Sequence, residues 1–374
     1  MFPTTLSSEP VLPSSSPHKT HWGWWVLAVL GLLAVGVTIA LQFLDPWLRR
    51  KLEQQVTTAS HGRYQLRIGE LHTSLRSRTL TLRHIRMRTA VTPSPDSAQL
   101  PRVRLAVGRL DVAGVGLLAL LRRGVVPLDS LVLDSVALQL AALPKTGGGK
   151  ALHEQLPVEG VRLGQVQLRH VRATYGPAKQ PIIRLGQGRL SAQDVLLSAA
   201  GAADAQRIGY AAAVAGMLQG LAVQVPGHHV KLLRGAFASS QQRLTIDSLV
   251  VHPNRPINNQ REKTTRISLV LPRLLLTGLN AAQLARKHLR ADTLRLTASR
   301  LALTVPTVKP PSLHVLLAPY LQECRLKRLE VSGGTLRIAG IKQAPAAGGM
   351  RAVATNIQVL PREAARTAIY YAEA

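Results

Sequence analysis

Arg102 to Leu140 reads RVRLAVGRLDVAGVGLLALLRRGVVPLDSLVLDSVALQL, and Arg266 to Val305 reads RISLVLPRLLLTGLNAAQLARKHLRADTLRLTASRLALTV. The two align at an offset of 163 to 165 residues, with Gly114 on Gly278 and Asp129-Ser130-Leu131 on Asp292-Thr293-Leu294. The match extends outward: Leu80-Thr81-Leu82 falls on Leu244-Thr245-Ile246, and Ile208-Gly209-Tyr210-Ala211 on Ile369-Tyr370-Tyr371-Ala372. Self-similarity at a fixed period is the mark of a repeat architecture. Residues 63–229 form one expected unit and residues 230–374 a second, which stops at the point equivalent to Ala213 and so looks incomplete.

Within each unit the pattern is that of strands. Runs such as Arg63-Tyr64-Gln65-Leu66-Arg67-Ile68 and Thr79-Leu80-Thr81-Leu82 alternate aliphatic with Arg, Thr or Gln, separated by Gly, Pro, Ser and Asp. Alternation at period two places the aliphatic groups on one sheet face. Between Leu82 and Ile85 the parity slips by one, which predicts a bulge near Arg83 and His84. One short helix is expected per unit, Gly116 to Arg123 in the first and Ala281 to His288 in the second. The fold class is mainly β, and antiparallel.

The N-terminal part differs. Trp24 to Leu44, WWVLAVLGLLAVGVTIALQFL, carries no charge, and as a helix its length matches the ~30 Å hydrocarbon core of a bilayer. Trp22, Trp24, Trp25 and Trp47 flank it, where amphipathic rings favour the head-group layer. Residues 22–44 are therefore expected to be a retained transmembrane anchor, since no small-residue cleavage site follows. Residues 1–21, rich in Ser, Pro and Thr, read as a disordered tail. Asp45 can cap a helix with Pro46 at its first position, which predicts a juxtamembrane helix within residues 45–62. Only Lys19 precedes the span, while Arg49, Arg50 and Lys51 follow it, so a positive-inside count places the body in the cytoplasm.

The chain carries 47 Lys and Arg against 19 Asp and Glu, a formal net charge of +28. Such a balance favours anionic partners, phospholipid or other anionic lipid among them. Nucleic acid fits less well, because aromatic residues are only 3% and no basic helix is clustered. Cys324 is the single cysteine, which excludes an internal disulfide and a cysteine-based metal site.

Catalytic signatures are missing. Gly147-Gly148-Gly149-Lys150-Ala151 has Pro144 and Ala151 where a phosphate loop needs Gly and Ser or Thr. Gly186-Gln187-Gly188 is followed by Ser191 where a dinucleotide fingerprint needs its third glycine. His228-His229 has no carboxylate or cysteine beside it in sequence. The expectation is a non-enzyme with no cofactor and no metal.

Leu48 to Met87, LRRKLEQQVTTASHGRYQLRIGELHTSLRSRTLTLRHIRM, and the phrase from Leu110 to Val115 continuing at Pro127 to Leu133, resemble AsmA-like envelope proteins. That resemblance implies a long curved antiparallel sheet presenting an apolar groove, with a role in outer-membrane biogenesis or lipid transfer between membranes. It also implies a bacterial inner-membrane protein, single-pass, whose body is periplasmic, against the positive-inside count. On this expectation Leu80, Leu82, Leu131, Leu133, Leu294 and Leu296 line the acyl groove, and Arg at the rim meets head groups. The competing expectation is a scaffold or adaptor that recruits other envelope proteins without carrying lipid.

Overall fold

The computed structural model describes residues 45–359 apart from 59, 61, 63, 75–76, 91–101, 115–124, 142–150, 156–157, 178, 255–265, 305–320 and 340–345. The chain divides into two compact units, Met1–Leu48 and Arg49–Ala374. Of the first, residues 45–48 are described and are helical. The described residues hold no helix long and apolar enough to cross a membrane. The expected anchor, with Trp22, Trp24 and Trp25, and the expected first-copy helix both lie outside them.

Helix α1 covers residues 45–58. Fifteen strands follow: β1 Tyr64–Arg67, β2 Glu70–Ser74, β3 Thr79–Thr89, β4 Val103–Ala113, β5 Val125–Leu140, β6 Gly160–Tyr175, β7 Ile183–Leu197, β8 Ala211–Val225, β9 His228–Ala238, β10 Arg243–Pro253, β11 Arg266–Thr277, β12 His288–Thr297, β13 Arg300–Thr304, β14 Glu323–Ala339 and β15 Ala346–Val359. Two short helices interrupt them, α2 Ala199–Ala203 and α3 Ala281–Ala285. The fold is mainly β, and all the strands join one sheet. Most neighbours are antiparallel, but β5–β6, β12–β14 and β13–β14 pair in parallel, which alternation could not reveal. Parallel neighbours need a crossover of a dozen or more residues, and here residues 141–159 and 298–322 supply them. The two crossovers are equivalent, since Val125 pairs Gly160 and His288 pairs Glu323.

The backbone repeats as the sequence does. Left-handed φ values occur at Arg78, His84, Gly114, Ser135, His170 and Asp194, and again at Gln242, Ser248, Gly278, Ala298, Gly333 and Asn356, each 162 to 164 residues on. Left-handed backbone costs a non-glycine residue about 1–2 kcal/mol, so its recurrence at matched places marks a shared conformation rather than local accident. Gly62 recurs as Gly227, which starts the second unit at His228, two residues before the expected junction.

The parity slip has a different form from the expected bulge. A bulge sets two residues against one. Here Arg83 pairs Arg109 and Ile85 pairs Val107, leaving His84 opposite Gly108 with no register offset, because both strands reverse parity at the same place. Gly108 is needed there: an added Cβ would lie 2.9 Å from the Cβ of Ser135. Tracing register from strand to strand, the reversal continues through Ser135 to His170, steps by two residues at the irregular β6–β7 pairing to reach Gly220, and goes on through Ser248 and Ala298 to Gly333. A seam of reversed residues, stepped once between β6 and β7, thus crosses the described sheet from strand to strand.

The seam keeps aliphatic side chains on one face along the entire length of each strand. One register row on that face runs Leu82, Leu110, Leu133, Leu168, Leu190 and Gly216 from β3 to β8. It continues through Phe237, Leu244, Leu276, Leu294, Leu329 and Ala354 to β15. The adjacent row runs from Ile85 and Val107 to Leu296 and Val331.

Two local cores cover the ends of this face. At one end Ile68, Leu82, Ile85, Val107 and Val136 are buried with Leu52 of α1 against them. At the other, Leu276, Leu279, Ala291 and Leu326 are buried with Leu284 of α3. Helix α3 is capped by the Asn280 side chain, which accepts from the Gln283 amide, and it ends before Lys287, whose φ is 66°. The sequence pattern predicts it to reach His288, but that residue already begins β12.

Candidate functional site: an open apolar face

Apart from α1, α3 and, at the end of β7, α2 with the turn at Leu152–Gln155, the apolar face carries no second layer among the described elements. Central strand β8 makes substantial contact only with its sheet neighbours β7 and β9. Leu190 and Leu218, on the two apolar rows in β7 and β8, are 40% and 38% exposed. Around them the rows carry glycine where other strands carry Leu or Val: Gly188, Gly216 and Gly235. A Cβ at Gly216 would touch Leu190 Cδ1 at 3.4 Å, and one at Gly188 would lie 3.6 Å from Leu218 Cδ2. Glycine therefore lowers the floor beside the two exposed leucines. The result is a shallow apolar strip between two covered ends.

The six expected lining residues all fall on this face but not in this strip. Leu82 is 5% exposed and belongs to the first core; Leu80 and Leu133 pack against it. Leu131 sits opposite Val112 and Val166 in the same block of strands. Leu294 packs against the second core, and Leu296 lies between Leu274 and Val331. Leu190 and Leu218 escaped notice because they lie in the 141–229 stretch, where the self-alignment has few anchors. The glycines at 188, 216 and 235 were the available signal.

The opposite face is polar, and charge is unevenly spread along it. On the α3 side of the seam, several cations are paired. Arg109 Nε meets Asp111 at 2.7 Å, and Asp194 receives Arg162 and Arg207 at 2.8 Å each. Hydrogen bonds from Arg207 and then Arg162 hold the Asp194 carboxyl below its usual range. The hydrogen bond between His170 and Asp134, 2.8 Å long, does the same for Asp134.

Glu323 is the most enclosed of these acids, meeting Arg290 at 3.1 Å, His288 at 3.2 Å and Arg325. Burial raises its carboxyl, but the hydrogen bonds from Arg290 and His288 and the nearby cations outweigh that and leave it lowered. A depressed folded-state value contributes stability above the unfolded-state value, and that contribution is lost as pH falls through the folded one. Glu323→Gln is expected to cost roughly 1–2 kcal/mol at neutral pH, the partners being half exposed. Thermal melts followed across pH should show the gap between variant and wild type narrowing on acidification below about pH 4.5; a constant gap counts against this ion cluster.

Among the described residues, nucleophiles and metal ligands do not converge. Burial, and then the Glu323 carboxylate, push the Cys324 thiol up, away from the reactive thiolate. Among the described residues no three His, Cys, Asp or Glu side chains could hold a metal ion. The fold and this face define a mainly β, repeat-like protein built on one large sheet. Compared with known proteins, the chain matches no protein-family model and no curated protein.

Proposed function

We propose that the protein is a membrane-anchored lipid-handling protein whose apolar sheet face accepts acyl chains, in the manner of the AsmA-like envelope proteins its N-terminal body resembles. The observation that carries this is the uncovered strip around Leu190 and Leu218, floored by glycine, in an otherwise continuous aliphatic face. Apolar area left in water forgoes about 25 cal/mol per Å², so a broad open face of this kind is characteristic of a binding surface. Acyl chains suit a strip that lacks polar groups and runs across the strands without interruption. The charge-free Trp24 to Leu44 stretch supplies the anchor, in a bacterial inner membrane with the body on the periplasmic side.

Lipid mass spectrometry of the full-length chain, solubilised from membranes, is the direct test. Acyl lipid is expected in near-stoichiometric amount after extensive washing, and carbonate extraction should leave the protein in the membrane pellet. Protein free of lipid, yet co-purifying with other envelope proteins, would instead favour a scaffold. A reporter fused at Ala374 that reads out on the cytoplasmic side would overturn the proposed topology.

A further inference from the structure

The seam separates more than side-chain parity. Every carboxylate in a described strand lies on one side of it: Glu70, Asp111, Asp129, Asp134, Asp194, Asp247, Asp292, Glu323 and Glu330. The strand segments on the other side carry none among the described residues, while they hold Arg86, Arg88, Arg104, Arg172, Arg184 and Lys231. The pairs Arg83–Glu70, Arg109–Asp111, Arg162–Asp194, Arg295–Glu330, Lys327–Asp292 and Arg328–Glu330 fall on the acid-bearing side, and those of His84 with Glu70 and His170 with Asp134 reach the seam. At a net charge of +28 some cations must go unpaired. Among the described residues, cations without a carboxylate partner stand on both sides, Arg234, Arg243 and Arg273 on the acid-bearing one, but the other side, one long edge of the sheet, alone is free of strand carboxylates. Thirteen strands spaced at about 4.8 Å give that edge a length of roughly 55 Å.

One part of the edge is shaped into a site. Arg104, Gln139, Thr174 and Arg184 occupy a single register row across β4 to β7. With Arg102 they line a cavity of about 420 Å³, walled by Pro177 and Pro181, a volume within the ~300–1,000 Å³ of ligand pockets. No carboxylate lines it, and all three arginines are exposed. Guanidinium groups with a neutral amide and a hydroxyl between them form a donor-rich cradle suited to a phosphate, which offers several acceptor oxygens. Leu140, whose neighbours Val103 and Tyr175 continue the aliphatic row at the strand ends, brings the apolar face to the same margin.

We infer that the acid-free edge is the head-group rim of the lipid surface, with the Arg102, Arg104 and Arg184 cavity as its phosphate subsite, so that the ligand is an anionic phosphate-bearing amphiphile. This rests on the apolar face accepting acyl chains. It adds which of the two long edges takes the head group and which head-group chemistry is preferred. The acid-bearing edge is unsuited to that task, because its carboxylates would repel a phosphate.

The test uses the full-length chain held in a non-ionic amphipol and titrated with dioctanoyl phosphatidic acid and with dioctanoylglycerol, which share acyl chains and differ in the phosphate. Wild type is expected to bind the phosphatidic acid about tenfold or more tightly, an advantage that shrinks as salt is raised. Arg102→Gln/Arg104→Gln/Arg184→Gln should abolish that preference and retain dioctanoylglycerol binding. A control that removes the same charge from the acid-bearing side, Arg83→Gln/Arg109→Gln/Arg295→Gln, should keep the preference. Equal affinity for the two lipids in wild type overturns the phosphate subsite and leaves the apolar face standing. Binding of neither lipid overturns both. A single-stranded oligonucleotide that outcompetes the phosphatidic acid, and is itself lost in the first triple variant, replaces the head group by a polynucleotide.

Discussion

Full-length protein carrying Leu190→Asp and Leu218→Asp is expected to lose its bound lipid while keeping its β-type far-UV spectrum and most of its thermal stability. Both leucines are about two-fifths exposed, so in the lipid-free protein the new carboxylates remain hydrated and cost little. Once an acyl chain lies over them the same carboxylates must be desolvated, at several kcal/mol each unless they are protonated. The expected drop in retained lipid is therefore tenfold or greater. The contrast is Leu82→Asp, at a position 5% exposed in the first core, which should unfold that end of the sheet. Lipid content unchanged in the double variant would reject the central strip as the acyl site.

The largest stability effect is expected at Gly278. Its φ is 66°, and a Cβ there would lie 2.1 Å from Asp292 Oδ2 and 2.6 Å from the Asp292 Cβ. Rotating the Asp side chain moves the carboxylate but not the Cβ, so the strand or the turn must shift. Gly278→Ala should cost about 2–4 kcal/mol, combining left-handed strain with overpacking. Gly227→Ala separates the two contributions: its φ is 80° but nothing lies within 4 Å, so only the strain of about 1 kcal/mol remains. Adding Asp292→Gly to Gly278→Ala should recover part of the loss, measured as coupling in a double-mutant cycle of denaturant melts. Gly114 faces Asp129 with the same geometry, so Gly114→Ala should behave as Gly278→Ala does. Additivity in the cycle would show that the close approach is not the source of the loss.

Much of this fold was legible because strands write their burial pattern at period two. Leu80, Leu82, Leu131 and Leu133 share a face, as do Leu294 and Leu296, and the alignment of Gly114 with Gly278 marks equivalent turns. Three features were not legible, each for a physical reason. Parallel pairing of β5 with β6 leaves no trace in alternation, since both pairing senses bury alternate residues. The in-register reversal at His84 and Gly108 could not be told from a bulge, because a single strand shows its own slip and not its neighbour's. The open strip was not legible because exposure depends on what lies above and beside a residue. Leu82 packs with Ile68, Ile85 and Val107 near Leu52 of α1, whereas Leu190 has Gly216 opposite it and Gly188 in the next row.

The charge segregation was likewise hidden. Arginine is scattered evenly along the chain, and only the seam converts position within a strand into one edge or the other. Asp111 and Arg104 stand seven residues apart in one strand and yet belong to different margins of the sheet.

The seam also sets which sequence changes this architecture can absorb. Removing His84 alone would restore plain alternation in β3, so Ile85 and Met87 would keep the aliphatic face. Strand β3 would then be one residue short against β4, which keeps its own reversal at Gly108, and the pairing from Ile85 opposite Val107 onward would lose its register. A residue gained or lost in a turn inverts nothing. Length variation among descendants of such a gene should therefore collect at the strand ends and turns, and growth should come by whole strands that each carry their own reversal. Within a strand, the count of residues on either side of the seam is as constrained as their identity.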